Sequence, residues 1–86
     1  MKLKSDYITY SANREALLVP TGKADFVGLV RGNRTLGAIL DLLKQDTDEA
    51  AIVAAMRARF DASEEVIKAD VKKALDELRA IGALDE

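Results

Sequence analysis

Phe26-Val27-Gly28-Leu29-Val30-Arg31-Gly32-Asn33-Arg34-Thr35-Leu36-Gly37-Ala38-Ile39-Leu40-Asp41-Leu42-Leu43 changes its hydrophobic period part-way along, and that change decides the fold. Phe26 to Arg31 is a short run, apolar on both faces apart from Gly28 and the terminal arginine, and it reads as a strand. From Asn33 the spacing is helical: Asn33 is an N-cap, and Leu36, Ile39, Leu40 and Leu43 make one stripe.

Upstream of that junction the pattern is sheet. Tyr7-Ile8-Thr9-Tyr10 alternates, Ser11-Ala12-Asn13 reads as a turn, and Arg14 to Val19 carries the apolar run Ala16-Leu17-Leu18-Val19. Pro20-Thr21-Gly22 ends it, because proline has no N–H for a ladder and glycine accepts positive φ. Downstream the pattern is helix. Gln45-Asp46-Thr47 breaks the first one, and Thr47 is expected to cap a second, with Asp48 and Glu49 in its first turn and Ile52, Val53, Met56 and Phe60 inward. Ser63 with Glu64-Glu65 opens the longest helix, which runs to about Ile81 before Gly82 and turns Ile67, Val71, Ala74, Leu75, Leu78 and Ile81 to the core. Leu84 is expected to fold back on its last turn as a staple. The expected fold class is α+β: a three-stranded antiparallel sheet followed by three helices, β-β-β-α-α-α, in a winged helix-turn-helix-like arrangement.

At 86 residues this is one domain, spanning 1–86, and a chain of that size buries only roughly 60 to 65% of its unfolded surface. Its core has no room for a deep substrate pocket. The sequence has no cysteine and no histidine, which removes disulfides, thiolate chemistry, the usual zinc ligands and the usual general base. No cofactor is expected. No apolar run approaches the ~20 residues of a membrane span, so the cytoplasm is the expected compartment, with no membrane partner.

Acidic pairs such as Asp48-Glu49, Glu64-Glu65 and Asp76-Glu77 diverge by about 100° on a helix and so do not converge on one substrate atom. Gly22, Gly28, Gly32 and Gly37 match no phosphate-binding spacing. Net charge is −2 overall, +2 over residues 1–46 and −4 over 47–86. Between Ser63 and Ile81, Lys68, Lys72, Lys73 and Arg79 face Glu64, Glu65, Asp70, Asp76 and Glu77, a balance of −1. Such a helix repels a DNA duplex, so nucleic acid is not the expected partner, although winged helix-turn-helix DNA recognition is the alternative that the order of elements raises.

The run Phe26, Val27, Gly28, Leu29, Val30, Arg31 poses a conflict. Two apolar faces call for cover on both sides, yet the last strand of a meander has an open edge of N–H and C=O groups. An extended peptide adding to that edge resolves it, and Gly28 either admits a close backbone or marks a bulge. If the last helix lies alongside, Lys68, Lys72, Leu75 and Arg79, spaced 4, 3 and 4, form a stripe suited to a peptide with apolar and acidic side chains. The competing assignment puts Leu75 in the core and the cations in solvent. Pairing of the same edge with a second copy gives a homodimer instead.

Gly28-Leu29-Val30-Arg31-Gly32-Asn33-Arg34-Thr35, Ile39, Leu42-Leu43, Thr47-Asp48-Glu49, Phe60-Asp61-Ala62-Ser63-Glu64-Glu65, Lys68-Ala69-Asp70-Val71, Leu75, Leu78 and Ile81-Gly82-Ala83-Leu84 together resemble the PqqD family, over nearly the whole chain. The resemblance implies a non-catalytic peptide chaperone of ribosomally synthesised, post-translationally modified peptide pathways. Such a protein binds the leader of a precursor peptide and presents it to a modifying enzyme, often a radical S-adenosylmethionine protein that carries its own iron–sulfur cluster. It also implies a leader strand against the third strand and the last helix, here Phe26 to Arg31 and the region of Lys68, Val71, Lys72, Leu75 and Arg79. Asp70 matches a recurrent acidic position whose role, in ordering the helix or in contacting a partner, stays open.

Overall fold

The computed structural model describes residues 1–12, 15–21 and 30–86. In chain order its elements are β1 (Lys2–Leu3), β2 (Tyr7–Ala12), β3 (Glu15–Pro20), β4 (Val30–Gly32), α1 (Arg34–Leu42), α2 (Glu49–Arg59), α3 (Glu64–Ala80) and β5 (Leu84–Asp85). The expected α+β class is observed: an antiparallel sheet in the order β2-β3-β4, then three helices.

β2 and β3 pair from Tyr7↔Pro20 to Ala12↔Glu15, and β3 pairs with β4 from Ala16↔Gly32 to Leu18↔Val30. Alternation along β3 sends Ala16 and Leu18 into the core and Glu15 to solvent. Ser11 and Ala12 belong to β2, where a turn was expected, because their pairs with Ala16 and Glu15 extend the ladder. The third strand, read over 26–31, is described only from Val30, and it reaches one residue further, to Gly32; Phe26, Val27, Gly28 and Leu29 lie outside the described residues.

The helices start where a side chain relieves the unpaired N–H groups of the first turn. Asn33 Oδ1 accepts from Leu36 N at 3.2 Å and Ser63 Oγ from Val66 N at 3.3 Å, as expected. α2 is capped by Asp48 rather than Thr47: Asp48 Oδ1 accepts from Ala51 N at 2.7 Å. Thr47 is held elsewhere, its N–H donating to Met1 O at 2.8 Å and its C=O accepting from the N-terminal ammonium at 2.6 Å. The same ammonium donates to Asp46 Oδ1 at 2.8 Å, and its hydrogen bond and charge hold that carboxyl below the ordinary aspartate range. α3 ends at Gly82, whose φ of +72° is left-handed backbone that glycine adopts without cost from a Cβ.

The core lies between the sheet and the three helices. Leu18, Ile39, Leu40, Leu43, Ile52, Met56, Val71, Leu75 and Leu78 are fully buried in it. α1 lies close against β3, where a Cβ on Gly37 would sit 3.3 Å from the Ala16 Cβ.

A second, two-stranded ribbon pairs Lys2 with Asp85 and Leu3 with Leu84. Leu84 is buried, as a staple would be, but it is held by strand pairing and by the Lys4 N to Ala83 O bond of 2.9 Å. Tyr7 links sheet to helix, its hydroxyl donating to Ile81 O at 2.8 Å. Tyr7→Phe keeps the ring and removes that donor, so urea unfolding should show a loss of about 1 kcal/mol with an unchanged m-value; a loss below a few tenths would show that water replaces the bond.

Candidate functional site

β4 has β3 on one side and, among the described residues, no strand on the other. Alternate residues of such a strand direct N–H and C=O away from the sheet. Beside that edge is an open groove of about 310 Å³, floored by Leu36 and Ile39 of α1 and walled by Arg31, Gly32 and Asn33 on one side and Asp70, Lys73, Ala74 and Glu77 of α3 on the other.

Two features of the local sequence place these groups. Gly32 lets α1 start directly under the strand: a Cβ there would lie 2.7 Å from the Leu36 Cβ and 2.9 Å from its Cγ. α3 buries Ile67, Val71, Ala74, Leu75 and Leu78, so its polar residues fall on two flanks of that stripe. Asp70, Lys73 and Glu77 occupy the flank toward β4.

Lys68 and Lys72 occupy the other flank. They line a second groove, of about 620 Å³, between α2 and α3, with Ala50, Val53, Ala54 and Arg57. At roughly 100° per residue they project some 160° to 200° from Asp70, so one straight helix does not bring both sets to β4. Val71 and Leu75 are fully buried and support the helix from within. Arg79 forms ion pairs with Asp76 at 3.2 Å and Glu86 at 3.1 Å. The Glu86 hydrogen bond raises the guanidinium pKa, and the same bond lowers that of Glu86. Of the residues expected at the site, the structure therefore brings Val30 and Arg31 to the β4 edge and leaves Lys68, Lys72 and Arg79 away from the groove beside it.

Lys73 and Glu77 carry no signal of their own in the sequence. Their place follows from which flank of α3 is turned away from α2, and Asp70, whose role was open, stands with them. None of Arg31, Asp70, Lys73 and Glu77 forms an ion pair with another described residue, whereas Lys68 is paired with Glu64 at 3.7 Å. Among the described residues no group of three or more His, Cys, Asp or Glu converges to hold a metal ion, and no helix is long and apolar enough to cross a membrane.

A small three-stranded sheet, followed by three helices whose last one walls a groove beside the β4 edge, defines a winged helix-turn-helix-like domain. The family model for Coenzyme PQQ synthesis protein D (PqqD) matches residues 16–84, and the chain belongs to the PqqD family, whose members are non-catalytic adaptors. The solved structure of TbiB1 in complex with the TbiA(beta) leader peptide is similar in fold, with a TM-score of 0.74 at 18% identity, covering 99% of this chain and 100% of that one. A search of curated proteins found no match.

Proposed function

We propose that this chain binds the leader segment of a precursor peptide by strand addition at the outer edge of β4 and presents the remainder of the precursor to a modifying enzyme. The open β4 edge with a groove between it and α3 carries the reading, because main-chain hydrogen bonds supply affinity there and the groove reads alternate side chains. TbiB1, which shares the fold, binds a leader peptide. Phe26, Val27, Gly28 and Leu29, which precede β4 directly in sequence, belong to the site as proposed. The partner enzyme is of the radical S-adenosylmethionine class in this proposal and supplies the iron–sulfur chemistry, since a chain without cysteine has no thiolates for a cluster.

The test is a ¹⁵N amide titration with the leader of a short peptide encoded beside this gene, with mixed duplex DNA as control. The expected result is shifts at Val30, Arg31 and Gly32 and along Asp70 to Glu77 with peptide, and none with DNA at low salt. Shifts with DNA alone would overturn the peptide role, because even non-specific DNA binders have dissociation constants of roughly 1 to 100 μM.

A further inference from the structure

We infer that the groove beside β4 selects an extended segment whose groove-facing side chains at i, i+2 and i+4 are basic, acidic and basic. The inference rests on strand addition at this edge and adds to it the chemistry of the segment. It differs from the acidic peptide that the stripe of Lys68, Lys72 and Arg79 suits, because those cations do not line this groove.

Three observations carry it. The first is the order of charge along the wall: Asp70, Lys73 and Glu77 alternate negative, positive, negative. The second is spacing. With ~1.5 Å rise per residue, Lys73 stands about 4.5 Å along the helix from Asp70 and Glu77 about 6 Å further. Same-face residues of a strand recur every ~6.6 to 6.8 Å, close to the Lys73 to Glu77 step, and the long side chains take up the shorter one. α3 also runs opposite in sense to β4 while crossing toward β2 at its C-terminal end. Its Ile81 carbonyl meets Tyr7, the partner of Pro20 at one end of the sheet, while Asp70 lies beside Thr35, just past the C-terminal end of β4. An added strand thus passes all three charges, and a basic-acidic-basic order reads the same in either direction.

The third observation is that these charges are uncommitted among the described residues. Asp70 and Lys73 are three residues apart and Lys73 and Glu77 four apart, spacings at which helical ion pairs form, yet neither pair is made. Elsewhere on α3 that spacing is used, by Glu64 with Lys68 and by Asp76 with Arg79. Small Ala74 sits between them over Leu36 and Ile39, leaving space for an aliphatic stem beneath each charged head.

The probes are three synthetic 11-residue peptides with one common Val/Thr face. Their other face carries Lys-Glu-Lys, Glu-Lys-Glu or Gln-Gln-Gln at i, i+2 and i+4, and binding is followed by ¹⁵N shifts of the full chain. The expected result is shifts at Val30 to Gly32 with the Lys-Glu-Lys peptide binding about fivefold or more tightly than Glu-Lys-Glu. A Lys73→Glu variant should move the preference to a fourth peptide of the same design carrying Lys-Lys-Lys, a change of preference that general damage to the fold does not produce. Shifts at β4 with equal affinity for all three peptides would overturn the charge order and leave strand addition standing. Absence of shifts at β4 with every peptide would overturn strand addition and this inference together.

Discussion

Leu75→Ala should cost about 2 to 5 kcal/mol of stability, a large part of what a domain of this size possesses. Leu75 has 0% of its surface exposed and belongs to the face of α3 packed on the core with Val71 and Leu78. At ~4 to 8 °C per kcal/mol for a 60–100-residue domain, thermal unfolding should move down by at least ~8 °C. Leu75→Met keeps volume and should cost less than ~1.5 kcal/mol. Because the side chain has no exposed surface, the Met variant should retain peptide affinity within about twofold, near the resolution of a titration. A Leu75→Met protein with intact stability and a tenfold loss of binding would place Leu75 in the groove and contradict its burial.

Gly32→Ala should destabilise by about 1 to 3 kcal/mol through overpacking. The new methyl meets the Cβ and Cγ of Leu36 inside van der Waals contact, and the Cβ of a helical residue does not swing aside as a side-chain tip does. Either α1 moves or β4 does, so the variant tests the junction on which the edge depends. Leu36→Ala removes the Cγ and Cδ2 but keeps the Cβ at 2.7 Å, so it relieves only part of the clash, and burial of the leucine is lost with it. The double variant Gly32→Ala/Leu36→Ala should therefore be more stable than the sum of the two single losses implies, by at least ~0.5 kcal/mol, in urea unfolding. Strict additivity would show that the Leu36 atoms beyond its Cβ do not press on residue 32.

Much of the fold is written locally. Asn33 and Ser63 each stand one residue before an apolar helical period and cap by their own side chains, so short windows of sequence suffice to place α1 and α3. Gly82 marks the end of α3 by the same logic. Thr47 and Asp48 are both competent caps, and the choice between them is made by the first residue of the chain, which takes the Thr47 backbone into its own hydrogen bonds. β1 and β5 have two residues each, too few to show a period, and each exists only because the other is there.

The candidate site was legible by element and not by side chain. The apolar run through Val30 marks an edge, and a long helix after it marks a wall. The stripe that faces the core of α3 is also evident, but its two flanks are equivalent in a helical wheel. Lys68 and Lys72 look as suitable as Lys73 until α2 is seen to pack on their side. Choosing between flanks needs the handedness of the path from β4 through two helices, a tertiary property with no local residue to record it.

The ribbon that joins Lys2 to Asp85 closes the backbone into a near-ring, the two strands standing about 5 Å apart. A host protein could therefore carry the whole unit within a single surface turn, its own backbone entering and leaving at almost one point, without parting the strands that flank the graft. Such a graft turns the Met1 ammonium into an amide, which keeps one N–H where the ammonium serves both Asp46 and Thr47.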